Sequence, residues 1–169
     1  MARISEALNH LLIQEMVATV NRTTHAKEED AVSVIAANSK IESIGYQVGS
    51  KFCERAAQNR LIPTEPLEAI KFICKDLWQE IFGKAIDKLQ TNHRGVFVLK
   101  DFAFKWTSRH SSKSELDVKK CQAASLKFPC GLLRGALSNL GYTAIVTADM
   151  DATDPARPLT SFHIKVSPL

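Results

Sequence analysis

In the first half of the chain apolar residues recur at three- and four-residue intervals, and later they alternate with polar ones, a change from helical to strand period. Ile4 to about Asn21 predicts a first helix. At 100° per residue, Ile4, Leu8, Leu11, Leu12, Ile13, Met16, Val17 and Val20 spread over roughly two-thirds of its circumference, wider than the ~100° stripe one core requires. A helix that apolar has two things to bury against, its own domain and a partner chain. After a polar joint, Arg22 to Asp30, a second helix runs from about Ala31 to Asn59, with Ile41, Ile44, Gly45, Val48, Phe52 and Ala56 as its repeat. "LIPTEP" breaks it. Pro66 suits the first turn of a third helix, whose stripe is Leu67, Ile70, Cys74, Leu77, Trp78 and Ile81 and whose stop is Gly83.

"AIDKLQTNHRGVFVLKDFAFKW" then reads as a strand, a turn at Asn92 to Gly95, and a strand from Val96. Phe102, Phe104 and Trp106 alternate with Ala103 and Lys105, as in a strand with one buried face. Thr107 to Ser125 is polar and lysine-rich, a loop with one short helix. A helix is expected after Pro129, then the strand "AIVTADM", the loop "DATDPARPLT", and the closing strand "SFHIKV". Helices first and strands later, without βαβ alternation, predict an α+β fold with the helices on one side of an antiparallel sheet.

Composition narrows the class only modestly. A chain of 169 residues accommodates one domain with a sizeable core, and 45% hydrophobic with 24% charged residues is ordinary for a globular protein. The leucine-rich start is interrupted by Glu6, Asn9, His10 and Glu15, unlike a signal peptide, and no window offers the roughly 18 apolar residues of a membrane span. A cytosolic location is expected. Cys53, Cys74, Cys121 and Cys130 form no CxxC, and the histidines have no metal-ligand spacing, so reduced thiols are expected and zinc is not. Between Lys84 and Arg134, eleven Lys/Arg stand against four Asp/Glu, a net +7 that the rest of the chain reduces to +4. Two readings of that segment stand: an anionic-membrane or nucleic-acid face, and a solvated basic loop.

"KFPCGLLRGALSNLGY", Lys127 to Tyr142, holds the most chemistry-like pattern. Cys130 at a helix start would sit near a positive dipole end, which favours a thiolate. A nucleophile also requires a base, and no spacing ties His93, His110 or His163 to it. Gly131, Gly135 and Gly141 fit neither a P-loop nor a dinucleotide fingerprint, and "GYQVGSK" fails likewise. Packing remains. Each interior helical glycine costs about 0.8–1 kcal/mol relative to alanine, so the pairs Gly45/Gly49 and Gly131/Gly135 imply close approach to a neighbouring element that offsets the loss. Gly141 suits a left-handed C-terminal cap, and the stretch reads as a helix docked tightly onto the sheet. "TNHRG" is plain turn chemistry, with His93 and Arg94 at its tip; "SRHSSKS" is a polar loop open to phosphorylation.

Three segments carry a family resemblance: "IESIGYQVGSKFCER", "LEAIKFICKDLWQEIFGKAIDKLQTNHRGVFVLKDFAF" and "FPCGLLRGALSNLGYTAIVTADM". They closely resemble the subunit 6 family of the transport protein particle (TRAPP), a eukaryotic vesicle-tethering complex, over most of Ile41 to Met150. The resemblance implies a helical layer on a twisted antiparallel four-stranded sheet, in a single domain over 1–169 with helices to residue 83 and mixed strands and helix from 84. It implies a heterodimer with a subunit 3 family member through the first two helices. The whole complex would act as a guanine-nucleotide exchange factor for Rab-type GTPases in endoplasmic reticulum-to-Golgi and Golgi traffic, with this subunit architectural, non-enzymatic, free of cofactors, and peripheral to those membranes. One departure matters: the subunit 3 family carries an S-acylated cysteine in the connection after helix 2, where "NRLIPTEP" here has none. Another is Thr160 and Ser161, where family members often have a cysteine just before the last strand.

The expected interface residues are therefore Leu8, Leu11, Leu12, Met16, Ile41, Ile44, Gly45, Val48 and Phe52, with Gly45, Gly49, Gly131 and Gly135 as close-packing positions. The competing expectations are a membrane-binding adaptor that uses segment 84–134 and a thiol enzyme built on Cys130. Nucleic acid is not an expected partner.

Overall fold

A computed structural model describes residues 6–24, 31–58, 63–92, 94–102, 104, 106, 115–151 and 159–168, with the side chains of 6–10, 115–122 and 168 outside the description. The elements run α1 (Glu6–Thr23), α2 (Ala31–Ala56), α3 (Pro66–Phe72), a π-helical turn (Ile73–Leu77), α4 (Trp78–Phe82), β1 (Lys88–Thr91), β2 (Val96–Phe102), α5 (Glu115–Asn139), β3 (Tyr142–Asp151) and β4 (Leu159–Pro168). The four strands form one antiparallel sheet in the order β1-β2-β4-β3. This is the α+β arrangement the periodicity predicts.

Strand alternation sets the layers. Phe97, Leu99, Tyr142, Ala144, Phe162, Ile164 and Val166 point inward and are buried, while Lys100, Ile145, His163 and Lys165 lie on the opposite face. The core continues into the helices through Ile41, Ile70, Leu77, Trp78, Leu132, Leu133 and Leu137. The Trp78 ring lies 4.3 Å from that of Phe82, tilted by 39°, and meets Phe162 edge-on at 5.3 Å, in a cluster that also takes in Phe104, Trp106 and Phe128.

Local punctuation follows side-chain chemistry. Pro66 stands at the start of α3, and Gly83, at φ +74°, ends α4 in the left-handed region that the absence of a Cβ permits. Between them the π turn leaves the Cys74 carbonyl to accept the N–H of Ile86 at 3.0 Å, which ties the chain leaving α4 back onto the helix. In the β1–β2 turn, Asn92 Oδ1 accepts the N–H groups of Arg94 (2.9 Å) and Val96 (3.2 Å). Gly141, at φ +88°, follows the end of α5 and donates to Ser138 O at 3.1 Å.

Two expectations for the second half are corrected. The strand with inward Phe102, Phe104 and Trp106 does not form, because β2 ends at Phe102, which faces solvent. Phe104 and Trp106 reach the core because the inward parity changes after Asp101, driven by the aromatic cluster they join. Nor is the helix expected within 107–125 short and separate from the one expected after Pro129: a single helix, α5, begins at Glu115 and passes through Pro129, whose place is mid-helix. Residues 107–114, His93 and the 152–158 part of the last loop lie outside the described residues. Thr160 and Ser161 stand within β4.

Candidate partner-docking face

The helical layer has a seam and an outer surface, and glycine positions make the seam. Gly45 and Gly49 on α2 oppose Gly131 and Gly135 on α5. A methyl added at Gly45 would run into the Phe128 carbonyl oxygen, at Gly49 into that of Leu132, at Gly131 into that of Glu42, and at Gly135 into that of Tyr46. All four approaches fall below the 3.0 Å that real Cβ atoms keep. The two pairs thus interlock, each presenting its bare backbone to the other helix. The tight contact of α5 is with α2, a correction to the expectation of the sheet as its partner, although α5 also packs on β3. Polar groups close the seam: Arg134 forms an ion pair with Glu42 and lies over the Tyr46 ring at 5.4 Å, and the Tyr46 hydroxyl donates to Ser138 Oγ at 2.8 Å.

With α2 held on α5, the other sides of α1 and α2 have no cover among the described residues. Six of the eight exposed large apolar side chains there belong to these helices: Leu11, Leu12, Val32, Val34, Ile35 and Ile44. Val32 is 75% exposed, Ile35 67% and Leu11 60%. Val17 and Val20 form the buried side of α1, as Ala37 and Ile41 do for the first half of α2. At 100° per residue Val32 stands roughly opposite Ile41, Ile35 roughly 120° from it, and Ile44 roughly 60° away on the other flank. The exposed apolar residues therefore surround the first half of α2 and do not follow one stripe.

Placed on this surface, the expected interface residues divide. Leu11, Leu12 and Ile44 are exposed; Met16, Val48 and Phe52 are half-buried against the core. Ile41 is wholly inside the core and Gly45 faces the α5 backbone, so neither belongs to the exposed face. The side chain of Leu8 lies outside the described residues. Val32, Val34 and Ile35 escaped the sequence reading. Their signal was the run "VSVI", in which Val34, seven residues before Ile41, continues that residue's stripe while Val32 and Ile35 lie off it.

The polar chemistry elsewhere is structural in form. Cys130 is buried in the middle of α5, not at a helix start, and burial pushes its thiol up to about 12. Cys53 and Cys74 are raised by burial to about 11 and about 12. A shallow depression lined by Ala56, Lys75, Asp76, Gln79, Glu80 and Ala85 holds neither a histidine nor a thiol. Among the described residues no His, Cys, Asp or Glu group is placed to hold a metal ion, and no helix is long and apolar enough to cross a membrane.

One buried carboxylate was not legible beforehand. Asp101, 1% exposed, accepts from Trp78 Nε1 at 2.9 Å and from Lys84 Nζ at 2.6 Å, while Lys84 also holds Asp87 at 2.7 Å and donates to the Phe102 carbonyl at 3.0 Å. Burial raises the Asp101 pKa above the usual carboxylate value despite its two donors. The Lys84 pKa is raised by its two carboxylates against the opposing effect of its own burial. Of the basic segment's cations, Lys84 and Arg134 are thus committed to ion pairs. Lys88 and Lys100 sit side by side in the β1–β2 register, on the face away from the helices.

Comparison with known proteins gives a consistent picture. A sequence profile for the transport protein particle (TRAPP) component family matches residues 9–167. Trafficking protein particle complex subunit 6B of Homo sapiens is 36% identical over 97% of this chain and 98% of its own length. Subunit 6A of Bos taurus is 39% identical over 76% of this chain and 77% of its own. An uncharacterized Schizosaccharomyces pombe protein is 36% identical over 96% of this chain, which spans 63% of that longer relative. In the solved structures, a trafficking protein particle complex subunit 3 from Naegleria fowleri, covalently bound to palmitic acid, superposes with a TM-score of 0.68 at 15% identity, over 96% of this chain and 97% of that one.

Proposed function

The chain belongs to the TRAPP component family, in its subunit 6 group, and from that premise we propose that it is a non-enzymatic assembly subunit of a TRAPP vesicle-tethering complex. Its outer α1–α2 surface pairs with a related subunit of the subunit 3 family. Through the assembled particle it serves Rab nucleotide exchange in endoplasmic reticulum-to-Golgi and Golgi transport, as a cytoplasmic protein at those membranes. The observation that supports this reading is the concentration of exposed apolar side chains on α1 and α2. Fully burying one such side chain contributes about 1.5–3 kcal/mol, and a specific interface buries about 1,600 Å² in total. Six side chains of this size supply a centre for an interface of that extent.

Co-purification with a subunit 3 homologue tests the reading. Leu12→Asp, Ile44→Asp and Ile35→Asp should each weaken or abolish capture while circular dichroism reports an intact fold. Loss with Ile44→Asp alone would place the partner on one flank of α2; loss with all three would extend it over α1 and both flanks of α2. Unchanged capture by all three variants would overturn the proposal.

A further inference from the structure

The sheet has two unequal edges. β1 is four residues long and opens on Lys88, the kind of short, charged edge that resists added strands. At the opposite side, all ten residues of β3 pair with β4 in unbroken register, and no described strand pairs with its other edge. From Tyr142 to Ala148 that edge carries no charge, proline or glycine. Its outward side chains are Thr143, Ile145 and Thr147, β-branched throughout, and Ile145 is 65% exposed. The same face ends on two exposed carboxylates, Asp149 and Asp151. Asp149 has the His163 ring at 3.5 Å, a partner only when that imidazole is protonated.

We infer that the free edge of β3 is a strand-addition site for an extended segment of a partner protein, with an aliphatic residue beside Ile145 and basic residues against Asp149 and Asp151. Backbone pairing gives such a site its affinity, and the alternating side chains give it register and selectivity. Charge complementarity separates this occupant from a second copy of the chain. The segment Tyr142–Asp151 contains no lysine or arginine, so a second β3 edge laid against it brings no such cation to Asp149 and Asp151. The inference stands apart from the α1–α2 pairing, which uses other elements.

The test uses the full chain and a short acetylated peptide of alternating threonines. Its lysines and one valine are spaced to lie against Asp151, Asp149 and Ile145 in an antiparallel register. One control peptide replaces the lysines with glutamate; another carries backbone N-methyl groups along the pairing edge. At millimolar peptide, hydrogen exchange at the edge-facing amides of β3 should slow by about tenfold with the basic peptide and with neither control. The Asp149→Lys/Asp151→Lys double variant and Ile145→Lys should lose the effect with circular dichroism unchanged. Because the double variant alters only exposed side chains, it carries the test if Ile145→Lys fails to fold. Three results would each overturn the assignment: no slowing, equal slowing with the glutamate peptide, or slowing that rises with protein concentration in the absence of peptide.

Discussion

Alanine at Gly49 should destabilise this protein even though alanine is the better helix former. In an open helix the exchange gains about 0.8–1 kcal/mol. At Gly49 the new methyl would meet the carbonyl oxygen, carbonyl carbon and Cα of Leu132, all backbone atoms and all within 3.0 Å. A side chain could rotate away; a helical peptide unit cannot, so α2 and α5 must separate along the seam. Overpacking of this kind costs about 1–3 kcal/mol where neighbours can adjust, and rigid backbone argues for the upper end. The net loss is then about 2 kcal/mol, or about 4–8 °C in melting temperature for a chain of this length. Urea denaturation of the full chain and of Gly49→Ala, followed by tryptophan fluorescence, measures it. Adding Gly131→Ala should cost less than its single effect, because helices already parted for one methyl receive the second more easily, a coupling above about 0.5 kcal/mol. A gain of about 1 kcal/mol for Gly49→Ala, the value for an unconstrained helical glycine, would refute the interlock.

Lys84→Met should destabilise by about 2–3 kcal/mol at neutral pH, below the usual range for a broken buried pair because Lys84 is 27% exposed. The sign follows from Asp101, whose folded pKa is already raised: without Lys84 it rises further, so the deficit is largest above the folded pKa and shrinks as acid protonates the carboxyl. Denaturation midpoints of both proteins from pH 4 to 8 check this, and a pH-independent deficit would contradict it. Alkylation by iodoacetamide at pH 8 should leave Cys53, Cys74 and Cys130 unmodified in the native state, given their burial and raised pKa values. Rapid labelling at Cys130, read by mass spectrometry, would revive a nucleophilic role.

Helices α1 to α4 and the β1–β2 hairpin were legible because burial on one side imposes its period directly on the residues. The π turn was not, since inserting a wider turn leaves an apolar stripe such as Ile70, Cys74 and Leu77 looking continuous. The first half of α5 was hidden by composition. "ELDVKKCQAAS" is mostly polar, and a proline further along looks like a boundary when the tertiary environment that tolerates it is unknown. Glycine spacing on α2 and α5 was visible, but spacing does not say which surfaces meet; that depends on a chain reversal some eighty residues long. Asp101 was invisible for a related reason. In "LKDFAF" an acid next to a lysine reads as solvated, and only the approach of Trp78 and Lys84 from α4 and beyond makes the carboxylate an interior group.

Pro129 interrupts α5 without ending it. Its ring cannot donate to the carbonyl one turn earlier, so the hydrogen-bond ladder misses a rung just before the glycine-lined portion begins. Yet packing does not wait for the gap to pass: Ser125, Leu126 and Phe128 are already buried on its amino-terminal side, and the Phe128 carbonyl is the surface that Gly45 meets. The clamp between α2 and α5 therefore straddles the missing rung, and tertiary packing holds the two sides of Pro129 in line where the backbone ladder does not.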